Sequence, residues 1–294
     1  MINVGAGVGK SGKNAIILSC QAKLLIYKMK TTVKVGIAQA KVPFSIEEGE
    51  SNILKFVTQA KKEGVEILGF PEDCVCGLFK YLHNYNPLDF LSRTAIKFNI
   101  NLFGSNTILE EGHFYSTGFY IDNLGKLVSK TRKIILTRPE KETGFTEGNK
   151  IEVFNTEYGK MAILVCKDAF NRYAPNWFYE LKKKKVEFVL VPSMSLKVDE
   201  NSIKFWSDSM WLLGRWFDIF ILAPGTVGKN YTPFTSYGNS LIVERDKGFL
   251  KRGSEDEEEL LIAEIPLRSV GQIGKDWQSK WDPPEIPEIE IEEV

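Results

Sequence analysis

Three side chains suited to nucleophilic catalysis each stand where an apolar run of the sequence ends. Glu72 closes the run EILGFPE, Lys133 lies within LVSKTRKIIL, and Cys166 closes MAILVC. A thiol beside a cation and a carboxylate can act as a nucleophile without histidine. The cation lowers the thiol pKa or stabilises an oxyanion, and the carboxylate moves protons. Since the ends of strands form the crevice of open α/β folds, this placement indicates a common site.

Taken singly, each of these residues has an ordinary structural explanation. A buried cysteine usually packs as a small, inert apolar side chain. A carboxylate that follows a proline at a strand end is more often a turn or cap residue, and Lys133 is one lysine among many. Catalysis therefore depends on the fold bringing Glu72, Lys133 and Cys166 together.

The overall composition narrows the classes of function. A chain of 294 residues suffices for one large domain or two small ones. Lys plus Arg and Asp plus Glu each number 38, so no basic excess predicts nucleic acid or an anionic membrane as a partner. No apolar run approaches the roughly 18 residues of a membrane span.

The cysteines and histidines limit the chemistry further. The 4 cysteines include no C-x-x-C pair, so neither a disulfide scaffold nor structural zinc is expected, and reduced thiols in a cytoplasmic protein are the default. His83 and His113 are the 2 histidines of the chain. They are too few for a His-rich metal site, and a carboxylate or a lysine is left as the base.

The first 30 residues lack the alternating strand and helix patterns of the rest of the chain. GAGVGKSGKN resembles a phosphate-binding loop, but in one frame Val4 replaces the first glycine and in the other Asn14 replaces the Ser or Thr. The apolar run before Cys20 is too short for a signal peptide. We expect residues 1–30 to be an extension that is disordered or not native, with Met29 as the natural start.

From Thr32 onward, strand and helix patterns alternate. VKVGIAQA predicts a buried strand, and a helix capped by Ser45 and closed by Gly64 precedes the strand VEILGFPE. Hairpins are predicted to turn at 122–125 and at 158–159. Alternating strands and helices with interspersed hairpins indicate a layered α/β sandwich with mixed sheets.

From about Val33 to Leu267 the chain resembles the nitrilase, or carbon–nitrogen hydrolase, superfamily. The matching motifs are KVGIAQA, AKKEGVEILGFPE, SKTRKIIL, YGKMAILVCKDAF and FVLVPSMS, in the order of the family. The resemblance implies a fold of the α/β (α+β) class, a four-layer αββα sandwich with two mixed β-sheets, over residues 31–270. It also implies homodimers or larger homo-oligomers, and chemistry without a metal or cofactor. Residues 271–294 would be an acidic, proline-containing tail.

The resemblance also implies catalytic roles. Cys166 would be the nucleophile and Glu72 the general base. Lys133 would stabilise the oxyanion together with the backbone N–H of Lys167. Many members carry a second glutamate shortly after the lysine. Glu140 is preferred for that role on its spacing, with Glu142 as the alternative.

The residues after the nucleophile bear on the substrate. Nitrile-cleaving members typically have Trp-Glu there, whereas this chain has Lys167 and Asp168, which favours an amidase. We expect hydrolysis of a small linear amide or N-carbamoyl compound. A nitrile-cleaving enzyme and an inactive interaction subunit remain alternatives. Cys74 and Cys76 are expected to be buried or to line the pocket, with redox regulation by a disulfide as an open alternative.

Overall fold

The computed structural model describes residues 30–77, 82–244 and 247–267. Residues 1–29 of the extension predicted at 1–30, and the whole tail predicted at 271–294, lie outside the described residues, so both stay predictions. Residues Val33–Ile265 form one compact unit.

Strands and helices follow one another through this unit. The strands are β1 (Thr32–Lys41), β2 (Ile67–Gly69), β3 (Asn101–Glu110), β4 (His113–Ile121), β5 (Leu127–Arg132), β6 (Val153–Thr156), β7 (Gly159–Ile163), β8 (Phe188–Leu190), β9 (Phe220–Ala223), β10 (Thr226–Gly228), β11 (Ser236–Tyr237), β12 (Leu241–Glu244), β13 (Gly248–Arg252) and β14 (Glu259–Pro266). The helices are α1 (Ile46–Lys62), α2 (Pro87–Phe98), α3 (Arg138–Glu142), α4 (Ala174–Lys183) and α5 (Ser202–Phe217), and a 3₁₀ turn spans Cys166–Ala169.

The strands form two mixed sheets. Sheet 1 has the order β11-β10-β1-β2-β3-β4-β5, with β14 also paired to β1, and sheet 2 has the order β13-β12-β9-β8-β7-β6. In sheet 1, β1, β2 and β3 are parallel, β4 is antiparallel, and β5 reverses again. β2 and β5 therefore run in the same direction and end at the same edge. In sheet 2, β7, β8 and β9 are parallel.

Helices α1 and α2 cover the outer face of sheet 1. The Ser45 side chain caps α1 by accepting the N–H of Glu48, as the sequence predicts. Apolar residues spaced at helical intervals along α1, such as Ile53 and Phe56, share one buried cluster with Leu68 of β2. This spacing makes α1 amphipathic and fixes its buried face against the sheet.

Helices α4 and α5 cover the outer face of sheet 2 in the same way. Phe178 of α4 and Trp206 and Met210 of α5 belong to a second buried cluster that includes Ile221 of β9. Burial of such large side chains is the main source of stability, at about 1.5–3 kcal/mol for each.

Side chains from the two sheets fill the centre of the sandwich. The rings of Tyr120 and Phe154 lie 5.2 Å apart between centroids. Gly118 of β4 faces the chain that leads to the 3₁₀ turn, and a Cβ added there would lie 2.6 Å from Ile163 Cγ2 and 3.0 Å from Val165 Cγ2. Glycine is therefore needed at this position for the sheets to approach so closely.

This arrangement of helix, sheet, sheet and helix confirms the predicted four-layer αββα sandwich with two mixed β-sheets. The hairpin predicted at 122–125 is also present, with the Gly125 N–H donating to the Asp122 carbonyl at 2.9 Å. The sequence analysis did not predict the short helix α3.

Candidate active site

Glu72 lies just past the end of β2, at the junction of the two sheets. Strand β2 is buried along its whole length. The Phe70 N–H donates to the Phe103 carbonyl of sheet 1 at 2.8 Å, and the Glu72 N–H donates to the Ser193 carbonyl beyond β8 of sheet 2 at 3.4 Å. The backbone of Glu72 is thus held by both sheets, and its side chain is buried.

Lys133 follows β5 directly and is almost fully buried, with 1% of the residue exposed. Its N–H donates to the Ser116 carbonyl at 2.8 Å, and its carbonyl accepts the Gly148 N–H at 2.7 Å. The Lys133 Nζ lies 2.8 Å from Glu72 Oε1 and 2.6 Å from Glu140 Oε1. One buried ammonium therefore joins two carboxylates from different elements.

Among the described residues, the hydrogen bonds to the Glu72 carboxylate fall on one of its oxygens. Oε1 accepts the Lys133 Nζ–H at 2.8 Å and the Ser116 Oγ–H at 3.1 Å. These two donors fix the carboxylate, and Oε2 is the oxygen left to exchange a proton. A carboxylate held in this way has the orientation that a general base requires.

Helix α3 presents Glu140 to Lys133 and turns Glu142 away. Thr137 and Glu140 form a capping box, in which Glu140 Oε2 accepts the Thr137 N–H at 2.6 Å and the Thr137 hydroxyl at 2.7 Å. Glu142 pairs instead with Arg138 at 2.6 Å, and both side chains are more than half exposed. Of the two predicted alternatives, the structure brings Glu140 to Lys133 and leaves Glu142 on the surface.

Cys166 begins the 3₁₀ turn that follows β7. Its φ is +49°, a left-handed conformation that is costly for a residue other than glycine and that often occurs at functional sites. The Cys166 N–H donates to the Pro192 carbonyl at 2.9 Å, and the Ser193 hydroxyl donates to Cys166 Sγ at 3.4 Å. The strained turn therefore presents the thiol beside the end of the neighbouring strand β8.

Lys167 occupies the first turn of this 3₁₀ segment. Its carbonyl accepts the Asn171 side-chain amide at 3.0 Å. Backbone N–H groups in a first helical turn are not used by the helix itself and are available to an anion. This is the location that the sequence analysis predicts for an oxyanion donor next to Cys166.

Asp168 connects the nucleophile turn to the lysine segment. Its buried carboxylate accepts the Ile135 N–H at 2.7 Å and the Ile134 N–H at 3.1 Å. Ile134 and Ile135 directly follow Lys133, so Asp168 ties sheet 2 to sheet 1 at the site. Burial raises the pKa of Asp168 to about 6.

The charges of the cluster alter one another's pKa values. Burial raises the pKa of Glu72, and the charge of Lys133 offsets this only in part. Burial alone would lower the pKa of Lys133, but Glu72, Cys166 and Glu140 together hold it well above its usual value. Lys133 therefore remains a cation. The pKa of Glu140 is lowered, because Lys133 and Thr137 outweigh the effect of burial.

The Cys166 thiol is protonated at neutral pH. Burial and the negative charge of Glu72 raise its pKa to about 12, although Lys133 acts in the opposite direction. The cation next to the thiol thus does not produce a resting thiolate here. A nucleophile with this pKa needs a base to remove its proton as it attacks.

The structure brings together Glu72, Lys133, Glu140 and Cys166, and it adds two partners that the sequence analysis missed. These are Ser116, which binds Glu72, and Ser193, which binds Cys166. Ser193 had a signal in the P-S turn of VPSMS, whereas Ser116 had none. Cys74 and Cys76 are both buried, as expected, and burial raises the pKa of Cys74.

The described residues contain no group of three or more His, Cys, Asp and Glu side chains arranged to hold a metal ion. None of the helices within 30–77, 82–244 and 247–267 is both long and apolar enough to cross a membrane.

Comparison with curated proteins finds relatives of low identity. The chain is 23% identical over 250 residues to the deaminated glutathione amidase of Dictyostelium discoideum, covering 76% of this chain and 83% of that protein. It is 22% identical over 312 residues to a bifunctional nitrilase/nitrile hydratase of Lupinus angustifolius, covering 88% and 85%. A probable hydrolase of Bacillus subtilis is 24% identical over 159 residues, but the match spans only 31% of its length.

Solved structures share the fold. A carbon-nitrogen hydrolase of Helicobacter pylori superposes with a TM-score of 0.73 at 21% identity, covering 86% of this chain and 96% of that one. An amidase of a Nesterenkonia species, with an acetamide moiety attached covalently to its active-site cysteine, gives 0.69 at 18% identity, covering 80% and 91%.

A family model settles the relationship. The model that matches residues 34–275, most of the chain, is the one described as carbon-nitrogen hydrolase. This match agrees with the fold and with the order of the motifs around Glu72, Lys133 and Cys166. The chain is a hydrolase that belongs to the carbon-nitrogen hydrolase family.

Proposed function

We propose that the protein hydrolyses a small linear amide or an N-carbamoyl compound through a thioester on Cys166. The observation that carries this proposal is the buried ammonium of Lys133, which lies 2.8 Å from Glu72 and 2.6 Å from Glu140. The charges of Lys133 and Glu72 both act on the Cys166 thiol. Burial of this kind is costly without a role, because each ion loses its hydration.

Acylation starts with the protonated thiol. Glu72 takes the proton from Cys166 Sγ while the sulfur attacks the carbonyl carbon of the substrate. The raised pKa of the Glu72 carboxyl makes it a stronger base than a free glutamate, which suits proton transfer from a thiol. Electrons of the carbonyl bond move to oxygen, and a tetrahedral oxyanion forms.

Positive charge and an N–H donor stabilise that oxyanion. Lys133 supplies the charge, and the backbone N–H of Lys167 supplies the hydrogen bond. Glu140 orients Lys133 by accepting a second hydrogen bond from its ammonium, at 2.6 Å. Such preorganised donors are worth about 10²–10³ in rate for each. Glu72 then returns its proton to the leaving nitrogen, the C–N bond breaks, and ammonia or an amine departs.

Water completes the reaction. Glu72, again ionised, removes a proton from a water molecule, which attacks the thioester carbon. The C–S bond breaks, the proton returns to Cys166 Sγ, and the carboxylic acid is released. Two moderate steps replace one difficult amide hydrolysis.

A second candidate reaction is nitrile cleavage. The similarity to the lupin nitrilase/nitrile hydratase favours it, whereas the Lys167-Asp168 pair favours an amidase. A third candidate is an inactive family member that serves as an interaction subunit. The intact set of Glu72, Lys133 and Cys166 argues against that role.

The test is ammonia release from panels of amides, ureido acids and nitriles, compared between the wild type and Cys166→Ala. We expect the wild type to turn over an amide or a ureido acid, and the Cys166→Ala variant to be at least about 10⁴-fold slower. Cys20→Ala, which removes a thiol outside the motifs of Glu72, Lys133 and Cys166, is the matched control and should remain active. Undiminished turnover in Cys166→Ala would refute the mechanism, and turnover of nitriles alone would favour the second candidate.

A wild type with no turnover and no acyl adduct on Cys166 would favour the interaction subunit. Intact-mass spectrometry after brief exposure to each panel detects the adduct directly, because the thioester adds the mass of the acyl group.

We also propose that the enzyme works in the cytoplasm as a homodimer or larger homo-oligomer. Exposed aromatic side chains on α5 support an association: Phe205 and Trp216 are each 58% exposed. Light scattering coupled to size-exclusion chromatography should give at least twice the 33.4 kDa mass of the chain. A strictly monomeric active protein would refute this assignment.

A further inference from the structure

A second buried carboxylate, which the proposed reaction does not use, directly follows Glu72. Asp73 is 6% exposed, and its φ is +54°. Aspartate adopts this left-handed conformation more readily than most residues, but it still carries a cost. The chain therefore bends sharply at the residue next to the base, and contacts of Asp73 with other segments must stabilise this bend.

Donors from two directions converge on the Asp73 carboxylate. Oδ1 accepts the Thr107 N–H at 2.9 Å and the Thr107 hydroxyl at 2.8 Å, both from β3. Oδ2 accepts the phenol of Tyr231, in a short hydrogen bond. Because all three partners donate to it, the carboxylate acts as an anchor between β3 and the segment that carries Tyr231.

The turn that follows Asp73 wraps closely around this pair. A Cβ added at Gly77 would lie 2.3 Å from Asp73 Oδ2 and 2.1 Å from the Tyr231 hydroxyl. Within the same turn, Asn106 Oδ1 accepts the N–H groups of Val75 and Cys76 at 2.8 Å and 3.1 Å. Residues 73–77 are thus fixed against β3, and they enclose the bond between Asp73 and Tyr231.

Tyr231 belongs to the loop at 229–235, between β10 and β11, which also borders the nucleophile side of the site. The Lys197 N–H donates to the Thr235 carbonyl at 2.8 Å, and the Tyr237 N–H donates to the Ser195 carbonyl at 2.9 Å. The segment 193–197 in turn carries the hydroxyl of Ser193 that binds Cys166. A continuous series of contacts therefore leads from Glu72 and Asp73, through the loop of Tyr231 and the segment 193–197, to Cys166.

We infer that Asp73 and Tyr231 form a clamp that positions Glu72 for proton transfer from Cys166. The clamp holds the chain on the C-terminal side of Glu72, as the Ser193 carbonyl and β3 hold it on the N-terminal side. Asp73 and Tyr231 are positioning residues, since they act through Glu72. The inference rests on the proposed function, in which Glu72 is the base for Cys166.

The experiment measures kcat and KM of the full chain, by ammonia release, for the amide or ureido acid that the wild type hydrolyses fastest. Thermal denaturation of each variant reports its stability. Glu72→Gln establishes the contribution of the base and should lower kcat by at least about 100-fold.

Tyr231→Phe should lower kcat by about tenfold and leave KM unchanged, because one hydrogen bond that positions the base is lost. Tyr158→Phe is the matched control, because the buried Tyr158 hydroxyl also takes part in a side-chain hydrogen bond, with the Asn101 amide at 3.3 Å. Tyr158 precedes β7, whereas Cys166 follows this strand, so Tyr158→Phe should leave kcat unchanged. Asp73→Asn keeps an oxygen for Thr107, so it should retain a higher kcat than Asp73→Ala.

Two results separate failure of the clamp from failure of the proposed function. If Glu72→Gln lowers kcat while Tyr231→Phe and Asp73→Asn match the wild type, Glu72 is the base and the clamp is refuted. If Glu72→Gln leaves kcat unchanged, the proposed function fails and the clamp fails with it. Should Asp73→Ala not fold, Tyr231→Phe and Asp73→Asn still decide the question.

Discussion

The carboxylate of Asp168 accepts the backbone N–H of Ile135 at 2.7 Å. With a second bond from the Ile134 N–H at 3.1 Å, this bond crosses between the sheets, from the turn that begins with Cys166 to the segment that follows Lys133. A buried side chain two residues past the nucleophile therefore ties the nucleophile turn to the lysine segment, although it does not take part in the proposed chemistry.

The pH dependence of stability should reveal Asp168. Burial raises the pKa of Asp168 from an ordinary 3.8 to about 6. Between these values the folded protein keeps a proton that the unfolded chain has lost, so the contribution of Asp168 to stability is full below the lower value and is lost as the pH rises through about 6. Relative to Asp168→Asn, the free energy of unfolding of the wild type should fall by about 3 kcal/mol from about pH 4 to about pH 7.

Urea denaturation of both proteins at intervals across that range measures this difference. Taking the difference cancels the titration of groups that both proteins share. A difference that stays constant with pH would show that Asp168 titrates at its ordinary value.

Replacement of Lys133 with Met should destabilise the fold as well as abolish activity. The change leaves the buried carboxylates of Glu72 and Glu140 facing each other without a cation, at a cost of about 3–5 kcal/mol. Lys183→Met is the control, because Lys183 pairs with Glu180 at 3.0 Å with both side chains more than half exposed. Lys183→Met should leave the free energy of unfolding nearly unchanged, because exposed ion pairs contribute little. Equal losses in chemical denaturation would contradict a buried ionic role for Lys133.

Glu140→Gln and Glu142→Gln distinguish the two glutamates of α3. The negative charge of Glu140 is one of the factors that raise the pKa of Glu72. Its removal should lower that pKa, move the acid limb of the kcat/KM profile to lower pH, and reduce kcat by about tenfold, since Glu72 becomes a weaker base. Glu142→Gln should leave the profile unchanged. The opposite pattern in pH–rate profiles would assign the role to Glu142.

Deletion of residues 1–28 should leave both kcat/KM and the midpoint of thermal denaturation unchanged. The segment precedes β1, and its glycines do not fit a phosphate-binding loop in either frame. Activity and denaturation measurements on the full and shortened chains check this expectation. A loss of turnover without a loss of stability would point to a functional role for those residues.

Much of the site could be predicted because its chemical groups lie in short, local motifs. Glu72, Lys133 and Cys166 each follow a recognisable strand, and the parallel direction of β2 and β5 brings the first two to one edge. The helix α3 was also within reach, since Thr137 and Glu140 have the spacing of a capping box.

The supporting contacts could not be predicted in the same way. Ser116 binds Glu72 across 44 residues of sequence, and Tyr231 binds Asp73 across 158. Such pairings depend on strand register and on the path of a long loop, and neither residue type is unusual in its local segment. A serine within a strand gives no sign of which side chain it will meet.

Gly118 lets the two sheets approach closely beside the site, an effect that none of the polar residues of the site provides. Glu72 and Lys133 follow strands of one sheet and Cys166 follows a strand of the other, so the spacing of the two sheets affects how far the nucleophile lies from the base and the cation. That spacing depends on the missing side chain of Gly118, opposite Ile163 and Val165. The separation of the two sides of the site therefore depends on packing in the apolar interior, where a single added methyl group at Gly118 would push the sheets apart.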